Sequence, residues 1–188
     1  MHTNFIPTEL LLSKTHWLSS EELAEHMISP SIKAALQFNG LLTAALGEAY
    51  AKPVSVTCLR QSKWANAREI LGLRRDVLLK AGDVSVVTAS TLMPAGVLDA
   101  HPWLAHLGDK PLGEALKNHG HFWREPFEFM RIDADLIFQP PPPATQFLWC
   151  RRFRFTFEIG DLLVTEIFFP GVLDRLSVMG HANGRDPI

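Results

Sequence analysis

The sequence predicts an α+β fold built on an antiparallel sheet of six strands. Three observations predict it. Apolar residues recur near helical spacing up to Tyr50 and at alternate positions from Val54 onward. Two pairs of strand-like runs are each joined through a short glycine turn, as antiparallel hairpins are. Helices and strands come in runs rather than in strict alternation, which argues against a parallel βαβ sheet.

At 188 residues the chain fits one domain spanning 1–188, with 1–20 and 175–188 at its periphery. With 47% hydrophobic and 20% charged residues it can bury a core and does not read as disordered. A net charge of -2 gives no case for nucleic acid or an anionic membrane as partner. The two cysteines, Cys58 and Cys150, lie far from each other and from any histidine at metal-ligand spacing. They read as free, mostly buried thiols of a reducing compartment. The opening "MHTNFIPTELLLSKTHW" carries no basic leader, and no apolar run reaches the length of a membrane span. The expected compartment is the cytoplasm, and the chain is expected to act as a monomer.

In chain order, Ser19 followed by Glu22 in "SSEELAEHMIS" is a capping box that starts a helix. "SPSIKAALQFNGLLTAALGEAYA" places Ile32, Leu36, Leu41, Leu42 and Leu46 near helical spacing, with Asn39-Gly40 dividing it into two helices. "VSVTCLR" is the first strand. "RRDVLLKAGDVSVVTAST" supplies the second and third, joined at Ala81-Gly82-Asp83. The stretch from Thr91 to Gly120 has the texture of short helices punctuated by Pro and Gly, and "REPFEFMRID" returns to alternation as the fourth strand. "QPPPPA" is a stiff connector. "FLWCRRFRFTFEIGDLLVTEIFFPG" is a long hairpin turning at Gly160-Asp161, and "HANGRDPI" a frayed tail.

Five features carry chemical interest. Glu166 is the one carboxylate of the apolar strand "LLVTEIFFP"; it either pairs with a structural arginine or lines a pocket. In "RRDVLLKA", Arg75 shares a face with Val77 and Leu79, while Arg74 points to the wetter side. An inward arginine needs a carboxylate partner or an anionic ligand. "PLG" at Pro111-Leu112-Gly113 opens a helical turn; by itself it reads as an ordinary loop-to-helix junction, and alternatively as an anion site made by backbone N–H groups. "RRFRFTFE" sends Phe153, Phe155 and Phe157 inward and Arg152, Arg154 and Glu158 to solvent. His119 and His121 of "HGH" have no third ligand at suitable spacing, so no metal is expected.

The ordered set "VSVTCLR", "RRDVLL", "LMP", "LGDKPLGEAL", "LWCRRFRF" and "LLVTEIFFP" resembles the chorismate lyase (chorismate pyruvate-lyase) family over roughly Phe38 to Val172. The resemblance implies a six-stranded antiparallel sheet with helices over it and a ligand enclosed beneath helical flaps. It implies conversion of chorismate to 4-hydroxybenzoate and pyruvate without a cofactor, as the first step toward ubiquinone. It places the substrate-carboxylate arginine on Arg75, a backbone contact on Leu112, the glutamate beside the ring hydroxyl on Glu166, and an apolar wall residue on Leu42, where the family can have methionine. Arg75 and Glu166 are the catalytic candidates. The alternative is a binding module related to the effector-binding domains of bacterial transcription regulators, which binds small ligands without chemistry.

Overall fold

A computed structural model describes residues 2–3, 5–13, 17–26, 28–66, 68–119 and 122–179. His121 and the tail "HANGRDPI" lie outside them.

The short strand β1 (His2–Thr3) precedes four helices, α1 (Thr8–Leu12), α2 (Ser20–Glu25), α3 (Pro30–Leu36) and α4 (Leu42–Tyr50). The expected capping box is present: Ser19 Oγ accepts from the Glu22 N–H, and Glu22 accepts from the Ser19 N–H. These two hydrogen bonds hold the Glu22 carboxyl below its ordinary range. The chain breaks between α3 and α4 at Asn39-Gly40, as the sequence predicts.

Strands β2 (Val54–Ala65), β3 (Ile70–Ala81) and β4 (Val84–Pro94) form a meander whose second turn is Gly82-Asp83. Gly82 there has φ +58°, a left-handed value that glycine adopts without penalty. Helix α5 (Ala95–Ala100), a 3-10 turn over Pro102–His106 and helix α6 (Leu112–His119) follow. The chain then returns through β5 (Trp123–Arg124), β6 (Glu128–Asp133), a 3-10 turn over Ala134–Leu136 and β7 (Phe138–Gln139). It closes with β8 (Phe147–Phe157), β9 (Gly160–Phe168) and helix α7 (Val172–Met179).

Among the described residues the main sheet runs β2-β3-β4-β9-β8, with β5 and β6 both on the outer edge of β8; every pairing is antiparallel. The α+β expectation holds. "REPFEFMRID" makes two ladder segments rather than one, because Pro126 lies between them and has no N–H to give the ladder. The last hairpin also differs from expectation. Phe157 pairs with Gly160, so the turn is Glu158-Ile159 and Gly160 already belongs to β9. Gly160 has φ +141°, a value that residues with a side chain rarely adopt, and a Cβ there would also lie a tight 3.2 Å from Val97 Cγ2 of α5.

Adjacent arginines on two strands face opposite sides of the sheet, and both sides are covered. Arg74 is buried, contrary to the wetter placement expected for it. Its guanidinium donates to Asp76, to Ile6 O at 2.7 Å and to Thr8 Oγ1 at 2.8 Å. Arg152, expected in solvent, is buried in the same way: it clasps Glu128 and donates to Leu11 O at 2.8 Å and Ser13 O at 2.7 Å. Alternation correctly predicts that these residues leave the aromatic face; it cannot show that the N-terminal segment caps the other one. Ile6 and Leu11 of that segment join the core, as does Leu176 of α7.

Candidate functional site

The sheet sets the geometry of a cavity of about 100 Å³, several times the roughly 10–15 Å³ that one water requires. Arg75, Thr91, Val164 and Phe153 lie in register across β3, β4, β9 and β8. Two residues further along, Val77, Ala89, Glu166 and Arg151 form the next such row. Arg75 and Glu166 therefore stand two strands apart, roughly 10 Å across the sheet and roughly 7 Å along it. All these residues line the cavity. The starts of α4 and α6 close over it, through Gly40 to Thr43 and Pro111 to Gly113. Thr43 Oγ1 and Glu114 Oε1 meet at 3.5 Å, and a Cβ on Gly113 would sit 3.0 Å from Leu41 Cδ2, so the two helix starts touch.

Arg75 is 2% exposed and has no carboxylate bonded to it among the described residues. One terminal nitrogen donates to Gly108 O at 2.7 Å and Lys110 O at 2.9 Å, and so holds the loop that leads into α6. Its Nε is buried without a hydrogen-bond partner. Burial lowers its pKa, opposed by Cys58 and Asp109 nearby. A buried cation bonded to two carbonyl oxygens and to no carboxylate favours an anion beside it. The same loop is tied to β2 by the Cys58 N–H, which donates to Asp109 Oδ1 at 2.6 Å, and by Gln61, which donates to Ala105 O.

Glu166 is buried, and both alternatives raised by the sequence are realised: it lines the cavity and it pairs with an arginine. The partner is Arg151, directly opposite on β8, with Nε 2.5 Å from Glu166 Oε2. Arg151 also donates to Leu36 O and Phe38 O at 3.0 and 2.9 Å, and its guanidinium carbon lies 4.5 Å from the Phe127 ring centroid. The pair leaves a fixed dipole at the end of the cavity opposite Arg75.

Leu42, at the first position of α4, and Leu112, at the first position of α6, complete the roof. Leu112 sits where a helix has no intrahelical acceptor for its N–H. All four residues singled out from the sequence thus border one cavity. Two others were missed. Arg151 could have been found by carrying the alternation of Phe155 and Phe153 one step back. Arg124 offers no such signal; it sits on a two-residue strand opposite Phe155, and only the fold brings it to the cavity wall.

His119 stacks on Trp103, rings parallel within 7° at 4.0 Å. Among the described residues no three His, Cys, Asp or Glu side chains gather in a way that could hold a metal. Cys58 is half-buried and Cys150 fully buried, both free. No helix among the described residues is long and apolar enough to cross a membrane.

A model of the family described as Chorismate lyase matches residues 11–178. A protein of Nitrosospira multiformis named "Probable chorismate pyruvate-lyase" is 32% identical over 178 residues, 84% of this chain and 96% of its own length. One of Pseudomonas aeruginosa with the same name is 29% identical over 88% of this chain and 97% of its own length. A third, from Pseudoalteromonas atlantica, is 32% identical over 64% of this chain, and the match spans 62% of that relative.

Proposed function

The chain belongs to the chorismate lyase family, and from that premise we propose that it converts chorismate to 4-hydroxybenzoate and pyruvate, in the cytoplasm, as the first step of ubiquinone biosynthesis. The observation that carries the reading is the pairing of a buried arginine without a carboxylate partner, Arg75, with a neutralised Arg151–Glu166 couple two strands away. Chorismate is a ring with a carboxylate at C1 and a hydroxyl at C4. Arg75 takes the carboxylate, and Glu166 accepts from the hydroxyl and orients C4. The leucines and phenylalanines of the wall enclose the ring.

The electron pair of the C4–H bond becomes the C3–C4 π bond, and the C3–O bond breaks with its pair on oxygen. The released proton ends on the methylene carbon of the departing enolpyruvyl group, which becomes pyruvate. Atoms balance without another reactant, and aromatisation drives the reaction. The protein's contribution is orientation in a dry site and fixed charge where charge shifts. Leu112 at the helix start presents an N–H toward the anionic substrate.

The test is incubation of the purified chain with chorismate, following both products. Release of pyruvate and 4-hydroxybenzoate without added metal is expected. Arg75→Ala should lower turnover by roughly 100-fold or more, the scale of losing a charge-stabilising donor; an unchanged rate overturns the assignment. Ligand binding without pyruvate release would mark the chain as a binding module instead.

A further inference from the structure

The cavity carries more positive charge than one ring carboxylate needs. Arg75, Arg124 and Arg151 line it against a single carboxylate, Glu166. Arg151 is engaged by Glu166, and Arg75 is assigned to the C1 carboxylate. Arg124 remains. Its terminal nitrogen donates to the backbone oxygen and Oδ1 of Asn39, both neutral acceptors. Its guanidinium carbon lies 5.1 Å from the Phe127 ring centroid and 5.6 Å from that of Phe153. Among the described residues it forms no salt bridge. Burial, and then the neighbouring Arg151, push its pKa down, while Glu166 opposes them. A half-buried cation beside another cation is favourable when an anion joins them.

The substrate supplies such an anion, and connectivity fixes where it falls. With C1 held at Arg75 and the C4 hydroxyl at Glu166, C3 is the ring carbon adjacent to C4. The enolpyruvyl ether therefore leaves the ring at the Glu166 end. Its carboxylate reaches the end of the cavity where Arg151 and Arg124 both lie against the Phe127 ring, and where Arg151 already has a carboxylate partner and Arg124 has none among the described residues.

We infer that Arg124 binds the carboxylate of the departing enolpyruvyl group and so distinguishes substrate from aromatic product. The inference rests on the chorismate reading above. It has a consequence that a structural role through Asn39 lacks: chorismate carries the second carboxylate and 4-hydroxybenzoate does not. Loss of Arg124 should weaken handling of the first and spare binding of the second.

The experiment uses the full chain as wild type, Arg124→Met and Arg124→Lys. Methionine retains much of the apolar stem over Phe127 and Phe153. Pyruvate release gives kcat/KM for chorismate, and titration calorimetry gives Kd for 4-hydroxybenzoate on the same preparations. Expected for Arg124→Met is a loss of kcat/KM of at least tenfold with less than a threefold change in Kd, and partial recovery in Arg124→Lys. Unchanged turnover overturns the inference. So does a parallel loss of turnover and product affinity, which is what misfolding or a displaced Asn39 loop would produce. Wild-type protein that releases no pyruvate overturns the chorismate reading itself, whereas an active wild type with a parallel loss in the variant overturns only the role of Arg124.

Discussion

Arg151 and Glu166 face each other across one register position of β8 and β9, and each is buried. Removing one partner leaves the other charge unpaired in the interior, at a cost of about 3–5 kcal/mol, whereas an apolar replacement of both can be nearly neutral. Glu166→Gln should therefore lower unfolding stability clearly, and the Glu166→Leu/Arg151→Met double variant should recover most of the loss. Urea denaturation measures both; a destabilisation that simply adds would contradict the coupling. Cys150 offers a pH test. Burial raises its thiol pKa above the ordinary 9.0, so above that pH the unfolded chain gives up a proton that the folded chain keeps. Stability from this residue is present below pH 9 and declines as pH rises, by up to about 1.4 kcal/mol per pH unit. Cys150→Ala should flatten that alkaline slope relative to wild type. Single residues were only partly legible beforehand. The apolar surroundings of Arg75 and Glu166 are written in alternation, whereas Arg124 reaches the cavity through a long-range pairing that no local pattern records.

Elements were easier to read than the contacts between them. Glycine turns, a capping box and a change of period are local, and the meander and the helical start follow from them. Gly72 shows what local signals omit. It pairs with Pro94 at φ +155°, and a Cβ there would fall 1.9 Å from the Met93 carbonyl oxygen. The contact is with backbone, so β3 and β4 would have to separate. Gly72→Ala should cost on the order of 2–4 kcal/mol, seen as a lower denaturation midpoint; an unchanged midpoint would contradict the crowding. Gly113 is the opposite case, since its neighbour is the mobile end of the Leu41 side chain at 3.0 Å. Gly113→Ala should leave stability within about 1 kcal/mol yet push the starts of α4 and α6 apart. On the proposed chorismate reading, stopped-flow measurement should then show 4-hydroxybenzoate dissociating faster; an unchanged release rate would argue that the helix starts do not gate the cavity.

At the scale of the molecule, each sheet face depends on a different part of the chain. The N-terminal segment supplies acceptors to Arg74 and Arg152 on one face, while α4 and α6 roof the cavity on the other. Deleting residues 1–13 would expose two buried arginines and the surface packed by Ile6 and Leu11. The loss is on the order of 5 kcal/mol, or roughly 10–20 °C in Tm for a chain of this size. Calorimetry would show it, and a fall of less than a few degrees would mean the segment is dispensable. The tandem arginines Arg74-Arg75 and Arg151-Arg152 divide along the same line: Arg75 and Arg151 turn to the cavity, Arg74 and Arg152 to the capped face. That division matters for descent with modification. Because the arginines bonded to the N-terminal cap are not those that border the cavity, substitutions that reshape the pocket leave the bonds of the cap in place. A lineage can change the shape and charge of the pocket while the opposite side of the sheet preserves its architecture.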